Sequence, residues 1–184
     1  QKSLQLRAAN GARPLIWLPE LERSESDALT VSGPAGSRFT LDGLVIAGRS
    51  IQLGGDLEKV VIRHSTLVPG WELGGARESK CPAEPSLEIF SANVCVTIAH
   101  SILGPIQVNP IVPLSNDEED NQAVQDNLPE DEKTRAECEG VGPDYRLEPI
   151  RLCINDSILD AVDPENEAIG APGCPVAHAV LTLQ

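Results

Sequence analysis

A short pattern of alternating apolar and polar positions recurs along the chain. It is clearest at residues 60–67, and it returns at 96–103 and, less regularly, at 152–159. An earlier and more diverged copy lies at 39–46. The alternation has a period of two, which predicts β-strands with one apolar face. A helix is disfavoured because the apolar spacing is not three or four and because Gly and Pro interrupt the candidate windows.

Equivalent positions of these copies predict one inward-facing file of side chains. Its members are Leu41, Ile62, Ile98 and Ile154. After a turn, each copy continues into a second short strand, at 44–46, 65–67, 101–103 and 157–159. A third strand is predicted at 51–53, 71–73 and 106–108.

Three short strands per repeat are typical of one coil of a parallel β-helix, in which like residues stack at a spacing of about 4.8 Å. The fold prediction is therefore all-β: a right-handed parallel β-helix, or solenoid, of about five to six coils. Residues 1–184 form a single domain in this prediction.

Longer segments interrupt the predicted coils at 74–85, 109–148 and 163–177. All are expected to leave after a third strand and so to emerge at one corner, either as a functional face or as cover for sheet edges. The segment 109–148 is acidic and is predicted to be a flexible insertion, with a short helix near 130–137.

Charge narrows the choice of partners. The chain has 184 residues and a formal net charge of −14, which disfavours nucleic acid and anionic lipid surfaces as ligands. No apolar run approaches the roughly 20 residues that a membrane span needs. The chain contains no Met, which suggests a piece of a longer or processed protein. The acidity either keeps a β-rich surface soluble or serves cation binding.

Polar residues stack at the turn that follows the first strand. Gly43, His64, His100 and Asp156 occupy one position, and the two imidazoles are expected on adjacent coils. They could bind a metal ion or move a proton, or they could form a solvated polar column. The next position holds Ser65, Ser101 and Ser157. A ladder of mutually satisfied hydroxyls is favoured there over a nucleophile, because the serine recurs on successive coils.

The outward-facing residues beside this column include Asp42, Arg63 and Asn155. Carbohydrate-cleaving enzymes place clustered carboxylates and basic groups on such a face, but glycoside hydrolysis needs a second carboxylate at a controlled separation. His64, His100, Asp156, Asp42 and Arg63 are therefore predicted as binding residues, with no catalytic residue assigned.

The cysteines divide by position. Cys95 and Cys153 fall in or beside strands and are predicted to be packing residues. Cys81, Cys138 and Cys174 fall in different interrupting segments. They could form a disulfide, bind a metal together with His178, or remain free thiols. No cofactor is predicted.

Residues 60–70 and 94–104 resemble the right-handed parallel β-helix superfamily, the pectate-lyase-like fold. The stretches 64–70 and 100–106 are similar, more narrowly, to bacterial β-helix proteins that accompany phage-tail-like or secretion-linked gene sets. The resemblance implies the fold but no single function, because the superfamily holds lyases, hydrolases, tailspikes, adhesins and spacers.

These observations predict a non-catalytic structural or binding module of a larger bacterial or phage-tail-like assembly. Its partners would be a protein or flanking coils at the ends of the solenoid, with carbohydrate as a further ligand class. The alternative is a carbohydrate-active enzyme, a polysaccharide lyase or glycoside hydrolase, that acts on the outer face. The location is left open between the cytoplasm and an extracellular or phage-like assembly.

Overall fold

The computed structural model describes residues 2–19, 28–70, 84–91, 94–108, 150–164, 167–170 and 179–183. All regular structure in these ranges is β, as the sequence predicts, and they contain no helix that could span a membrane. The strands are β1 (Ser3–Arg7), β2 (Leu15–Leu18), β3 (Leu29–Asp42), β4 (Val45–Gly48), β5 (Ile51–Arg63), β6 (Thr66–Pro69), β7 (Leu87–Ile89), β8 (Cys95–Ala99), β9 (Ile102–Leu103), β10 (Ile106–Val108), β11 (Ile150–Asn155), β12 (Ile158–Leu159), β13 (Ile169–Gly170) and β14 (Ala179–Leu183).

The strands form two parallel sheets. A nine-stranded sheet contains the order β13-β10-β7-β5-β8-β11-β14, and β3 links β5 to β1. A five-stranded sheet has the order β12-β9-β6-β4-β2. Strands that follow one another along the chain therefore pair with strands of the next repeat rather than with each other. This arrangement is compatible with a β-helix.

The predicted inward-facing file is confirmed. Leu41 pairs with Ile62, Ile62 with Ile98, and Ile98 with Ile154. The first three of these side chains are at most 1% exposed, and Ile154 is 5% exposed. Because successive strands pair in the same register, each aliphatic side chain lies directly over the next one. Such a stack fills the core closely with few aromatic rings.

Strands β3 and β5 are long because each passes through two columns of strands. Residues 29–33 of β3 pair with 51–55 of β5, and residues 37–42 of β3 pair with 57–63 of β5. Strands β7, β10 and β13 join the first of these columns. The predicted strand at 106–108 is confirmed, but β7 takes the place in this column that the sequence analysis gave to residues 71–73. Those three residues lie outside the described ranges.

The turn between the two sheets uses one left-handed residue per repeat. Gly43, His64, His100 and Asp156 have φ values of 77°, 50°, 49° and 45°. Glycine adopts this conformation freely, and His and Asp are enriched in it among other residues. The column of polar residues that the sequence predicts is therefore a column of turns.

The predicted serine ladder follows these turns. The backbone N–H of Ser65 donates to Ser101 Oγ at 3.2 Å, and the N–H of Ser101 donates to Ser157 Oγ at 3.1 Å. Each hydroxyl in turn donates to the carbonyl two residues before it, at distances between 2.7 and 2.8 Å. Ser65 and Ser101 are almost fully buried, at 1% and 3% exposure. The hydroxyls therefore satisfy N–H groups that the turn would otherwise leave buried and unpaired.

The prediction that all interrupting segments leave from one corner is wrong. Residues 20–27 and 71–83 connect strands of the five-stranded sheet to strands of the nine-stranded sheet, since β2 precedes β3 and β6 precedes β7. Residues 109–149 and 171–178 instead connect two strands within the nine-stranded sheet. The predicted interruption at 163–177 is also wrong in its bounds, because β13 lies inside it and pairs with β10. A period-two pattern shows where strands lie but not which turn accepts an insertion. The predicted insertion at 109–148, with its helix near 130–137, lies outside the described ranges and stays a prediction.

Candidate functional site

A cluster of charged side chains surrounds Asp42 at the end of β3. Arg63 Nη2 lies 3.0 Å and Arg7 Nε lies 3.6 Å from Asp42 Oδ2. His64 Nδ1 lies 3.2 Å from the other carboxylate oxygen, Oδ1. The Asp42 side chain is 10% exposed, whereas those of Arg7, Arg63 and His64 are 58%, 44% and 58% exposed. The nearly buried carboxylate of Asp42 therefore contacts three side chains that are accessible to solvent.

Strand register brings these groups together. Arg7 pairs with Asp42 across β1 and β3, and Asp42 pairs with Arg63 across β3 and β5. These positions alternate with the inward-facing residues, so their side chains lie on the outer face. Adjacent strands are about 4.8 Å apart, which places a carboxylate between two guanidinium groups within ion-pair distance. The turn at His64 then directs its ring to the same carboxylate.

The electrostatic balance of the cluster favours the ionised carboxylate. Burial raises the pKa of Asp42, but hydrogen bonds from His64 and Arg63 and the positive charges of Arg63 and Arg7 outweigh it. The pKa of Asp42 consequently lies below its ordinary value. The folded state thus holds a negative charge at the centre of the cluster through the neutral and mildly acidic range.

Substitution Asp42→Asn should make stability less dependent on acid pH. A carboxyl group whose pKa is lower in the folded state stabilises the protein above its unfolded pKa of about 3.9, and the contribution disappears as the pH falls through the folded pKa. We expect wild type to be more stable than the variant at pH 6, with a difference in stability that shrinks progressively as the pH falls below about 4. Urea unfolding at a series of pH values measures the gap. A gap that stays constant down to pH 2 would contradict the assignment.

The two histidines stack as the register predicts. The rings of His64 and His100 have centroids 5.4 Å apart and planes inclined by 11°. His100 Nδ1 lies 3.8 Å from Asp156 Oδ2, and both imidazoles are more than half exposed. Within the described ranges there is no group of three or more His, Cys, Asp or Glu side chains that could hold a metal ion. A binding role for this column stays a prediction.

Two residues of the site were missed by the sequence analysis. Arg7 and Asn10 line an open pocket of about 320 Å³ together with Asp42, Arg63 and His64. Arg7 follows an apolar-polar alternation at Leu4 and Leu6, and that alternation could have aligned it with Asp42 and Arg63. Asn10 lies in the turn after β1, and its place in the pocket had no signal in the repeat.

Asp42 and Asp156, the two carboxylates among the predicted binding residues, are poorly placed for glycoside hydrolysis. Asp156 occupies the turn position of β11, whereas Asp42 lies on β3, and two strands, β5 and β8, separate them. Three strand spacings amount to about 14 Å. Retaining and inverting enzymes place their carboxyl groups roughly 5 to 9.5 Å apart.

The two cysteines of the described ranges do not line the Asp42 pocket. Cys95 and Cys153 lie in β8 and β11 as predicted, but at half-buried outward-facing positions rather than in the core, and both are free thiols. Cys81, Cys138, Cys174 and His178 lie outside the described ranges, so their metal or disulfide role stays a prediction. The segment that holds Cys81 leaves from a different turn than the segments that hold the other three residues.

Comparisons with protein-family models, with curated proteins and with solved structures give no significant match to this chain.

Proposed function

We propose that the chain is a non-catalytic structural or binding module, a right-handed parallel β-helix of about five to six coils that joins a neighbouring protein end to end. The support for the fold is the repeated parallel register through three columns of strands. Right-handedness follows from the strong preference of parallel crossover connections. The bacterial or phage-tail-like setting rests on the sequence resemblance alone.

The observation that favours this function is an uncovered end of the apolar core. Leu4 belongs to the same inward file as Phe39, yet it is 56% exposed while Phe39 is 2% exposed. Further inward side chains of the same end are only partly buried: Leu6, Ile16, Leu18, Leu29 and Val31. In the described ranges, β1 pairs only with β3, and β2 only with β4. Within the described part of the chain, apolar surface and a strand edge with no second partner strand thus coincide at one end.

Such an end is suited to another β-helix end. Unpaired strand edges present N–H and C=O groups that a further parallel strand can accept. The opposite end offers a matching surface, because Leu159 on β12 and Ile169 on β13 are also only partly covered. Either flanking coils of a longer chain or a second protein can complete the stack. The chain of residues 1–184 should therefore associate head to tail with itself.

Substitution Leu4→Lys should weaken this association by about tenfold or more. Full burial of a leucine side chain contributes about 1.5–3 kcal/mol, and 1.4 kcal/mol corresponds to a factor of ten. Sedimentation velocity over a range of protein concentrations measures the effect, with far-UV circular dichroism as the check on folding. Wild type should form larger species as the concentration rises, and Leu4→Lys should remain monomeric.

The matched control is Leu15→Lys. Leu15 is equally exposed, at 52%, and lies on the neighbouring end strand β2. Its side chain points to the outer face, since the next residue, Ile16, packs against the core. This variant should associate like wild type. A wild-type protein that stays monomeric at all concentrations would contradict stacking of this chain on itself, and equal losses in both variants would contradict a contact through the inward-facing residues of β1.

The alternative of a carbohydrate-active enzyme has weaker support. Its glycoside hydrolase form requires a second carboxylate near Asp42, and Asp156 is about three strand spacings away. Its polysaccharide lyase form requires a carboxylate with a base, and no catalytic residue is assigned to that role.

A further inference from the structure

The pocket beside Asp42 combines concavity with surplus positive charge. Its charged lining consists of Arg7, Arg63, Asp42 and His64, and two guanidinium groups face one carboxylate. Two guanidinium groups and one carboxylate give a local formal charge of +1 in a chain whose formal net charge is −14, with His counted as neutral in both sums. One arginine would suffice to neutralise Asp42, so the second is not required for charge balance.

The ion pairs use only part of the donor capacity of these arginines. A guanidinium group has five N–H donors. The recorded contacts with Asp42 engage Nη2 of Arg63 and Nε of Arg7. Both side chains remain about half exposed, at 44% and 58%. Asp42 therefore holds two guanidinium groups that line the pocket and remain about half exposed to solvent.

We propose that this pocket binds a small organic phosphate, with Arg7 and Arg63 as the principal contacts and with Asn10 and His64 at its rim. Planar guanidinium groups match phosphate oxygens in bidentate geometry, and such charge-assisted hydrogen bonds are among the stronger ones. Donors converge here from two strands, since Arg7 lies on β1 and Arg63 ends β5. Two guanidinium groups, each able to donate through several N–H groups, suit the three terminal oxygens of a phosphate monoester better than the two oxygens of a carboxylate.

The size of the pocket indicates a ligand larger than the phosphate group itself. Its volume of about 320 Å³ lies at the lower end of the range for small-molecule sites, roughly 300–1,000 Å³. Three alanines, Ala8, Ala9 and Ala12, supply small apolar surface next to the charged groups. A phosphorylated sugar or similar metabolite of a few carbon atoms fits this combination of charge and space.

Isothermal titration calorimetry at fixed ionic strength tests the proposal with inorganic phosphate, glucose 6-phosphate, glucose and acetate. Glucose 6-phosphate should bind saturably and more tightly than inorganic phosphate, and acetate should bind at least about tenfold more weakly than either. Glucose should show no binding. Acetate that binds as tightly as phosphate would overturn the phosphate assignment, and glucose that binds as tightly as its phosphate would indicate a neutral carbohydrate site instead.

Substitution Arg7→Gln should lower the affinity for glucose 6-phosphate by about tenfold, the typical effect of losing a hydrogen bond to a charged group. Arg63→Gln is a second variant, on β5 and away from the end strand, and it should have a similar effect. The matched control is Arg38→Gln, because Arg38 is a half-exposed arginine of the same sheet that pairs with Glu58 rather than with the pocket. This control should bind like wild type.

Three results would overturn the proposal: no binding by wild type, unchanged binding in both pocket variants, or an equal loss in Arg38→Gln. The last would show an unspecific effect of net charge. The proposal does not depend on end-to-end stacking. The Arg7 and Arg63 side chains lie on the outer face. A wild-type protein that is monomeric but binds phosphate would therefore contradict the proposed stacking and leave the phosphate proposal intact.

Discussion

Substitution Gly48→Ala should lower the free energy of unfolding by about 3 kcal/mol. Gly48 ends β4 with a φ of 105°, a conformation that residues with a Cβ atom adopt only under strain of about 1–3 kcal/mol. A Cβ atom there would overlap the carbonyl oxygen of Leu18 on the paired strand β2. That carbonyl accepts the N–H of Arg49 at 3.0 Å, so moving it also disturbs a turn hydrogen bond. Equilibrium urea unfolding measures the loss.

Gly54→Ala is the matched control for this substitution. The nearest atom to a Cβ at Gly54 is Ser32 Cβ at 4.0 Å, which is an ordinary contact, and the residue does not have a left-handed φ. Alanine at a glycine position with a compatible backbone conformation stabilises a protein by about 0.4–1 kcal/mol, because it lowers the conformational entropy of the unfolded chain. The two variants should therefore move stability in opposite directions. A loss below about 1 kcal/mol for Gly48→Ala would show that the turn relaxes around the new methyl group.

Substitution Ile62→Ala should lower the free energy of unfolding by about 2–5 kcal/mol. Ile62 is 1% exposed and lies in the inward file between Leu41 and Ile98. The backbones of β3 and β8 are held by their ladders to β5, so they cannot collapse into the space that the side chain leaves. The loss of stability then combines the transfer free energy of the removed side-chain atoms with the cost of the cavity that they leave. Thermal or urea unfolding of the purified variant provides the measurement.

Val61→Ala tests whether this effect comes from the core. Val61 is the next residue of the same strand, and it is half-buried on the outer face. It is also a β-branched residue between the same two partner strands, but it pairs with Thr40 and Thr97 and its side chain does not fill the core. We expect a loss below about 1 kcal/mol, within the range of strand propensities. Similar losses in the two variants would contradict the alternation of inward and outward residues along β5.

Part of the candidate site follows from the repeat. Once the alternation aligns Leu41 with Ile62, the neighbouring Asp42 and Arg63 must pair on the outer face, and His64 must lie beside His100. The pocket could not be predicted in this way. The pocket forms only because β1 pairs with β3 at the end of the nine-stranded sheet, which brings Arg7 to Asp42. The turn after β1 must also place Asn10 nearby. That turn has no equivalent in the clearer copies of the repeat.

The sequence by itself determined most of the strands, their parallel stacking and the inward file, because a period-two pattern repeated in register favours one arrangement that buries the apolar faces. It also determined the serine ladder, since a hydroxyl at the same turn position of successive strands meets the next backbone N–H. Only the tertiary structure decided which turns accept the interrupting segments, that Leu87–Ile89 completes a column, and that the core is open at Leu4. These depend on contacts between segments far apart in the chain, for which a local pattern contains no signal.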